Sequence, residues 1–523
     1  MNLKLMLEKT AEQHAGKTAI VMGQRRVSYA ELDEASNKVA NALIKIGVRK
    51  GDRVAMLLTN TPEFATVYFG IIKAGGIAAP FDTRYKIHEL ALLFNNCKPK
   101  VMVAESQLLE PLVPALSRLS SIEHVIELSP NHEGQFLSYQ QIMSTSTTQR
   151  VDVELAPDDI ATISYTSGPT TRPRGAMFSH HSLLAEAIIS GDGFQQTDKD
   201  VVMLFALPLY HNFGLAVILL TSVHRGSTII MVPGTGISIS SLMEAIERER
   251  GTILLGVPYI YALAVKMAKH EGLKNDLSSL RLYGSGGAPL SVNTIRQFKQ
   301  YYGYTIIDFW GLTEAVAQVT CQPIDGKGKI GASGKVLPGW EIRIVNDDGD
   351  ELPPNQTGEI IVRGPIMNGY YKNPQATAET IKDDWLYTGD IGRIDEDGYL
   401  FITGRKKSMI ILKGQNIYPF DIEKVLHTHP RIAAAKVIGI PDKLRGEVVR
   451  AIIIFKEGKA STEQIIRRFC QQRMADYKLP KQIVFTDALL KTAATKIRKK
   501  NLKAYLSKIS PLPRSPYRGR SKS

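Results

Sequence analysis

The sequence predicts an α/β protein: a large N-terminal domain of α/β sheet subdomains plus a small β subdomain, followed by a small mobile α+β C-terminal domain. Three observations carry this. Short apolar runs alternate with segments of helical period as far as Val257, the pattern changes to alternating β-type runs near residue 335, and a shorter α+β stretch follows Gly404-Arg405-Lys406-Lys407.

Taken in order, Ser28 stands ahead of apolar positions Leu32, Val39, Ala42, Leu43 and Ile46, which predicts an N-capped helix that Gly47 ends. Residues 53–58 read as a buried strand. Pro62 opens a helix to about Lys73, and Gly75-Gly76 leads into a short strand ending at Pro80. Strands are expected again at 161–165, 201–207, 228–232 and 253–257, and alternation with helices favours parallel pairing. From 335 to 364, Asp348-Gly349 and Pro353-Pro354 punctuate short alternating runs, as hairpins require. Beyond the basic stretch come a helix at 420–427, strands at 435–440 and 448–455, and a helix at 462–474. These readings divide the chain into residues 1–403, a hinge at 404–407, a C-terminal domain at 408–510 and a basic tail at 511–523. The tail is rich in Pro, Ser and Arg and is expected to be disordered.

The chain has 523 residues and a net charge of +14. Ten basic residues and no acid follow position 495, so 14 minus 10 leaves +4 for residues 1–495. A nucleic-acid reading therefore loses its footing, because the body is nearly balanced. No apolar stretch approaches the roughly 18–20 residues that span a bilayer, and the N-terminus meets acid by Glu8, unlike a secretory signal. Cys97, Cys321 and Cys470 are too scattered for a disulfide framework or a paired metal motif, so a reducing cytoplasm is expected. Peripheral membrane contact through the basic tail stays open, as does the choice between monomer and homodimer.

One loop carries chemistry on its face. The strand at 161–165 runs into Thr166-Ser167-Gly168-Pro169-Thr170-Thr171-Arg172-Pro173-Arg174-Gly175, in which hydroxyls, glycines and two guanidinium groups suit the oxygens of a polyphosphate. It is not a Walker A loop, since Gly-Lys-Ser/Thr is missing. Further segments follow in order: Pro208-Leu209-Tyr210-His211-Asn212-Phe213-Gly214, Gly284-Ser285-Gly286-Gly287-Ala288-Pro289-Leu290, Trp310-Gly311-Leu312-Thr313-Glu314, Tyr387-Thr388-Gly389-Asp390, Gly404-Arg405-Lys406-Lys407, Gly414-Gln415-Asn416-Ile417-Tyr418-Pro419, and Lys491 to Arg498. Together, in this order, they resemble the adenylate-forming superfamily of acyl-CoA synthetases, luciferases and adenylation domains over residues 1 to about 506.

The resemblance implies an AMP-forming acyl-CoA synthetase that uses ATP, CoA and Mg²⁺ in two half-reactions, with residues 1–403 as the ATP- and acyl-binding domain. It implies Mg²⁺ at Glu314 and Thr166, and phosphates among Thr166, Ser167, Gly168, Thr170, Thr171, Thr313 and Arg174. Adenine would lie between Trp310-Gly311 and Gly287-Ala288-Pro289, with the ribose at Asp390 and Arg405. Lys496 stands where the family lysine bridges carboxylate and α-phosphate, and it acts only if the C-terminal domain closes over the site, with Lys407 as hinge. Gly414 would admit the pantetheine arm of CoA. His211 and Gly311 are expected at the acyl pocket. Acetyl-specific relatives carry Trp where Gly311 stands, so an open channel and a substrate larger than acetate are expected: a medium or long fatty acid, or an aromatic or alicyclic acid.

Departures from the family pattern are few. Pro169 removes a hydroxyl and an N–H, Thr171 restricts φ where Gly is usual, and Arg174 replaces Lys with a planar cation. These changes predict retained, slower adenylation. A stand-alone ligase loading a carrier protein and a nucleotide- or acyl-binding pseudoenzyme are the alternative readings.

Overall fold

The computed structural model describes every residue except 130–133, 166–172, 233–237, 289, 406–409, 413–414, 418, 443, 457 and 487–523. Local signals act where the sequence puts them. Ser28 accepts the Glu31 N–H while the Glu31 carboxylate accepts the Ser28 N–H, a capping box that starts the helix Tyr29–Lys45. Pro62 occupies the first turn of Pro62–Lys73, where its missing N–H leaves no bond unmade.

Among the described residues two large sheets form the N-terminal body. A seven-stranded sheet runs Leu137–Ser138, His124–Glu127, Val101–Ala104, Arg53–Leu57, Ile77–Pro80, Ile160–Tyr165, Gly175–Ser179, parallel except for its last pair. A nine-stranded sheet runs Lys335–Val336, Thr320–Cys321, Ile307–Trp310, Leu282–Ser285, Ile253–Gly256, Val201–Leu204, Thr228–Met231, Thr18–Met22, Arg25–Ser28, with parallel strands at its centre. One apolar core joins the two, with the helices Tyr29–Lys45 and Pro62–Lys73 packed across it. The apolar run after Asn212 is a π-helix, Phe213–Leu220, closed by Thr221–Arg225.

The β subdomain differs from its expected extent. Lys335–Val336 belongs to the edge of the nine-stranded sheet, paired with Thr320–Cys321. The subdomain proper joins Glu341–Val345, Gly358–Arg363, Trp385–Ile394, Ile381–Lys382 and Leu400–Arg405. Alternation marks the hairpin, but the later strands are recruited by pairing across tens of residues, which no local pattern encodes. In the C-terminal part the long hairpin Ile432–Asp442/Gly446–Phe455 packs against Pro419–His427 and Glu463–Gln471, the latter capped by Thr462. Among the described residues no helix is long and apolar enough to cross a membrane, and all three cysteines are free and buried.

Two stitches hold distant parts together. Residues 368–371 lie along the edge strand Gly175–Ser179: Met177 N–H donates to Gly369 O (2.9 Å), Asn368 N–H to Met177 O (2.8 Å) and Tyr371 N–H to Gly175 O (2.7 Å). The C-terminal turn Asp476–Lys478 docks on the N-terminal body. There Lys478 Nζ lies 3.0 Å from Glu89 Oε1, with side-chain exposures of 2% and 3%. The Arg84 guanidinium stands 4.2 Å over the Tyr477 ring, and Ala475 enters the apolar cluster of Phe81, Leu90 and Phe94.

Candidate active site

The strand Ile307–Trp310 ends in a turn, Thr313–Ala315, that presents Thr313 and Glu314 at the strand's carboxyl end. Ligands of open α/β sheets collect at such ends. Trp310 is buried, and its Nε1–H donates to Asp390 Oδ2 at 3.0 Å, so the β subdomain's carboxylate is fixed to the large sheet. Asp390 is itself buried, and its N–H donates to Thr388 Oγ1 at 3.0 Å. Arg405 stands opposite Asp390 in the antiparallel pair Trp385–Ile394/Leu400–Arg405.

One turn away, Glu314 is half-buried and accepts the Tyr370 hydroxyl at 2.7 Å. The Arg174 guanidinium lies 5.3 Å from the centre of the same Tyr370 ring. Arg174, Tyr370 and Glu314 thus form a file from the outgoing end of the expected phosphate loop to the expected metal carboxylate. Among the described residues no Lys or Arg forms an ion pair with Glu314, and no group of three potential metal ligands occurs. A single hard carboxylate fits a magnesium ion completed by substrate phosphates, which Mg²⁺ prefers over an all-protein cage.

The turn is braced from behind. Asn212 Nδ2 donates to Val316 O at 2.7 Å, and Asn212 Oδ1 accepts the Ser164 hydroxyl at 2.6 Å, two residues before the phosphate loop. Val316 holds φ 56°, a strained value for a β-branched residue, and the Asn212 bond is what keeps its carbonyl there. Strain of this kind concentrates where geometry serves a ligand.

Gly311 is fixed by its surroundings. A Cβ added there would lie 1.5 Å from Ala317 O and 2.9 Å from Gln318 Cα. The missing side chain is demanded by the close backbone approach of residues 317–318. Gly287, at φ +78°, is exposed beside half-buried Ala288, and a Cβ there would meet only Val257 and Phe213 at 3.8–4.0 Å.

His211 packs at a tilt of 56° against Tyr210, ring centres 4.9 Å apart, near the Asp82–Arg84 pair, whose carboxylate accepts Nε–H at 2.8 Å and Nη2–H at 2.7 Å. Enclosure by protein atoms pushes the imidazole down to about 4; Asp82 opposes this and Arg84 adds to it. His211 is therefore neutral at pH 7 and offers no cation to a substrate carboxylate. Through Arg84 and Tyr477 it also lies next to the docked C-terminal turn.

Sequence reasoning missed Tyr370, Asn212 and the Asp82–Arg84 pair as members of the site. The aromatic pair Tyr370-Tyr371 between Gly369 and Asn373-Pro374 was a visible signal, and Asn212 stood within the ordered segment Pro208 to Gly214; the Asp82–Arg84 pair carries none. Thr166, Ser167, Gly168, Thr170, Thr171, Pro289, Lys407, Gly414, Lys496, the side chain of Arg405 and the tail lie outside the described residues.

The family model described as AMP-binding enzyme matches residues 7–371, and that of the AMP-binding enzyme C-terminal domain matches residues 421–496. The chain is 34% identical over 511 residues to an indoleacetate–CoA ligase of Aromatoleum aromaticum, covering 97% of this chain and 99% of that protein. It is 31% identical over 534 residues to a long-chain-fatty-acid–CoA ligase of Bacillus subtilis, covering 96% and 94%. The crystal structure of an anthranilate CoA ligase in complex with anthranoyl-AMP superimposes with a TM-score of 0.74 at 29% identity, covering 97% of each chain.

Proposed function

The chain belongs to the AMP-binding enzyme family, and from that premise we propose that its own substrate is an aryl or long-chain carboxylic acid. It is an AMP-forming acid–thiol ligase that uses ATP, CoA and Mg²⁺. A carboxylate oxygen bonds to the α-phosphorus as the bond to the bridging oxygen of pyrophosphate breaks. The CoA sulfur then bonds to the carbonyl carbon, and AMP leaves with the former carboxylate oxygen.

The observation that carries the reading is the pairing of two carboxylates at one strand end, each held by an aromatic donor: Asp390 by Trp310 and Glu314 by Tyr370. Asp390 accepts from the ribose hydroxyls, with Arg405 beside it, and Trp310 with Gly287-Ala288-Pro289 flanks the adenine. Thr166, Ser167, Gly168, Thr170, Thr171 and Thr313 donate to the phosphates, and Arg174 neutralises them while resting on Tyr370. Bound at Glu314, magnesium supplies charge neutralisation of the triphosphate. Lys496 supplies the point charge between carboxylate and α-phosphate. Neutral His211 shapes the acyl pocket without attracting the carboxylate by charge. Lys407 serves as hinge and Gly414 leaves room for the pantetheine arm. The buried, free cysteines suit the cytoplasm.

The test is AMP release across a panel of aryl, alicyclic and fatty acids with and without CoA. CoA-dependent turnover of an aryl or long-chain acid is expected, and Lys496→Ala should abolish pyrophosphate release while keeping ATP binding. Background release from every acid would overturn the reading; turnover with a carrier protein and none with CoA would replace the acceptor.

A further inference from the structure

Two groups of opposite charge meet on one side chain without pairing. The Tyr370 hydroxyl donates to Glu314 Oε1 at 2.7 Å, while the Arg174 guanidinium lies 5.3 Å from the centre of the Tyr370 ring, within reach of a cation–π contact. Tyr370 is 3% exposed, so neither contact is a loose surface encounter. Glu314 Oε2 accepts no hydrogen bond among the described residues, and the carboxylate is half-buried. A carboxylate and a guanidinium that share a neighbour ordinarily turn to each other and form short, charge-assisted bonds. Here a phenol takes that place.

The backbone fixes the arrangement. Met367 N–H donates to Glu314 O at 2.8 Å, Met177 N–H to Gly369 O at 2.9 Å and Tyr371 N–H to Gly175 O at 2.7 Å. Ala176 and Tyr370 form an antiparallel bridge, and Tyr370 N–H donates to Thr377 Oγ1 at 2.9 Å. Residues 367–371 are therefore bonded on one side to the residue that carries the acid, and on the other to the strand that directly follows Arg174. This frame holds the ring, and the ring holds the two charges. An ion pair between them would have to be broken before either could meet a ligand, so keeping them apart leaves both ready to bind.

We propose that Tyr370 is a positioning residue that insulates Glu314 from Arg174, holding an anion for a divalent metal and a cation for phosphate oxygens side by side and unpaired. This deepens the ligase reading and rests on its placing of magnesium at Glu314. Without the hydroxyl the carboxylate turns to the guanidinium, and the new pair competes with the metal for one partner and with the phosphates for the other.

The experiment has two arms, both on the full-length protein. One needs no nucleotide: urea midpoints of Arg174→Gln, Glu314→Gln and the double variant are compared in the wild-type background and in Tyr370→Phe, which keeps the volume of the ring. In the wild type the two shifts should add. In Tyr370→Phe the double variant should shift by clearly less than their sum, because either substitution alone already breaks the new pair. The other arm is calorimetric ATP binding with Mg²⁺ and with EDTA. Tyr370→Phe should lower the Mg²⁺ enhancement of ATP affinity by about fivefold or more, and Arg174→Gln in that background should bring it back to within about twofold of wild type, which lost packing at Tyr370 would not do. Additive shifts in both backgrounds, or an enhancement that Arg174→Gln fails to recover, overturn the insulation. Coupled shifts in Tyr370→Phe with no Mg²⁺ response in the wild type uphold the insulation and overturn the placing of magnesium at Glu314.

Discussion

Removing one member of the Lys478–Glu89 pair gives the sharpest account of how the C-terminal turn is held. The two side chains are 2% and 3% exposed with an N–O distance of 3.0 Å, so Lys478→Met leaves a carboxylate buried opposite a thioether. Breaking a buried pair on one side costs about 3–5 kcal/mol, because the remaining charge is left uncompensated. Glu89 keeps only the Lys86 N–H at 3.1 Å from its capping role. If all of that cost falls on docking, the docked arrangement loses roughly 10²- to 4 × 10³-fold in population, a factor of ten for each 1.4 kcal/mol. Dyes at Leu273→Cys and Ile465→Cys, both 48% exposed, would report the separation of the two domains while the native cysteines stay buried. Lys478→Met should shift most molecules to the undocked distance. The double variant Glu89→Leu/Lys478→Met should restore docking, since removing both charges together is close to neutral. A docked fraction unchanged in Lys478→Met, or single and double variants that simply add, would refute the argument.

Tyr370→Phe deletes the hydroxyl that Glu314 accepts, a bond to a charged group worth about 1.5–3 kcal/mol, so pyrophosphate release should slow by roughly tenfold to a hundredfold; an unchanged rate would separate Tyr370 from the site. Gly311→Ala drives a Cβ into Ala317 O and should lower stability by about 3 kcal/mol or more, read as a fall in the urea midpoint; a well-folded, active variant would contradict the close approach. His180 and His211 are both held neutral, each at about 4 through burial, while their unfolded counterparts titrate near 6.5. Their contribution is therefore full above pH 6.5 and is lost as pH falls towards 4, so urea midpoints should drop across that window, and less steeply in His180→Asn.

Much of the fold was legible because its signals are local. Ser28 with Glu31, Pro62, and the short apolar runs at 53–57, 77–80 and 253–256 each decide a few residues' conformation by themselves. Trp310, Glu314 and Asp390 were legible through motif order, yet nothing in the sequence said that Trp310 would donate to Asp390 across 80 residues. Lys335–Val336 was misassigned for the same reason, since alternation names a strand and never its partner. Gly311 shows a further limit: motif order marks the position, but only the fold shows that backbone at residues 317–318 leaves no room for a Cβ there.

The stitch between residues 368–371 and the strand Gly175–Ser179 has a consequence for how the chain is made. On a ribosome the edge strand emerges about 190 residues before the segment that covers it. At roughly 5–20 residues per second it waits about 10–40 s with unpaired backbone groups facing other nascent chains. Asp390 arrives later still, so a truncated product holds the seven-stranded sheet without the carboxylate proposed to meet the ribose. Such fragments would present a sticky strand and no activity, which makes the interval between residues 179 and 390 the stretch where slow translation or premature termination should cost this protein most.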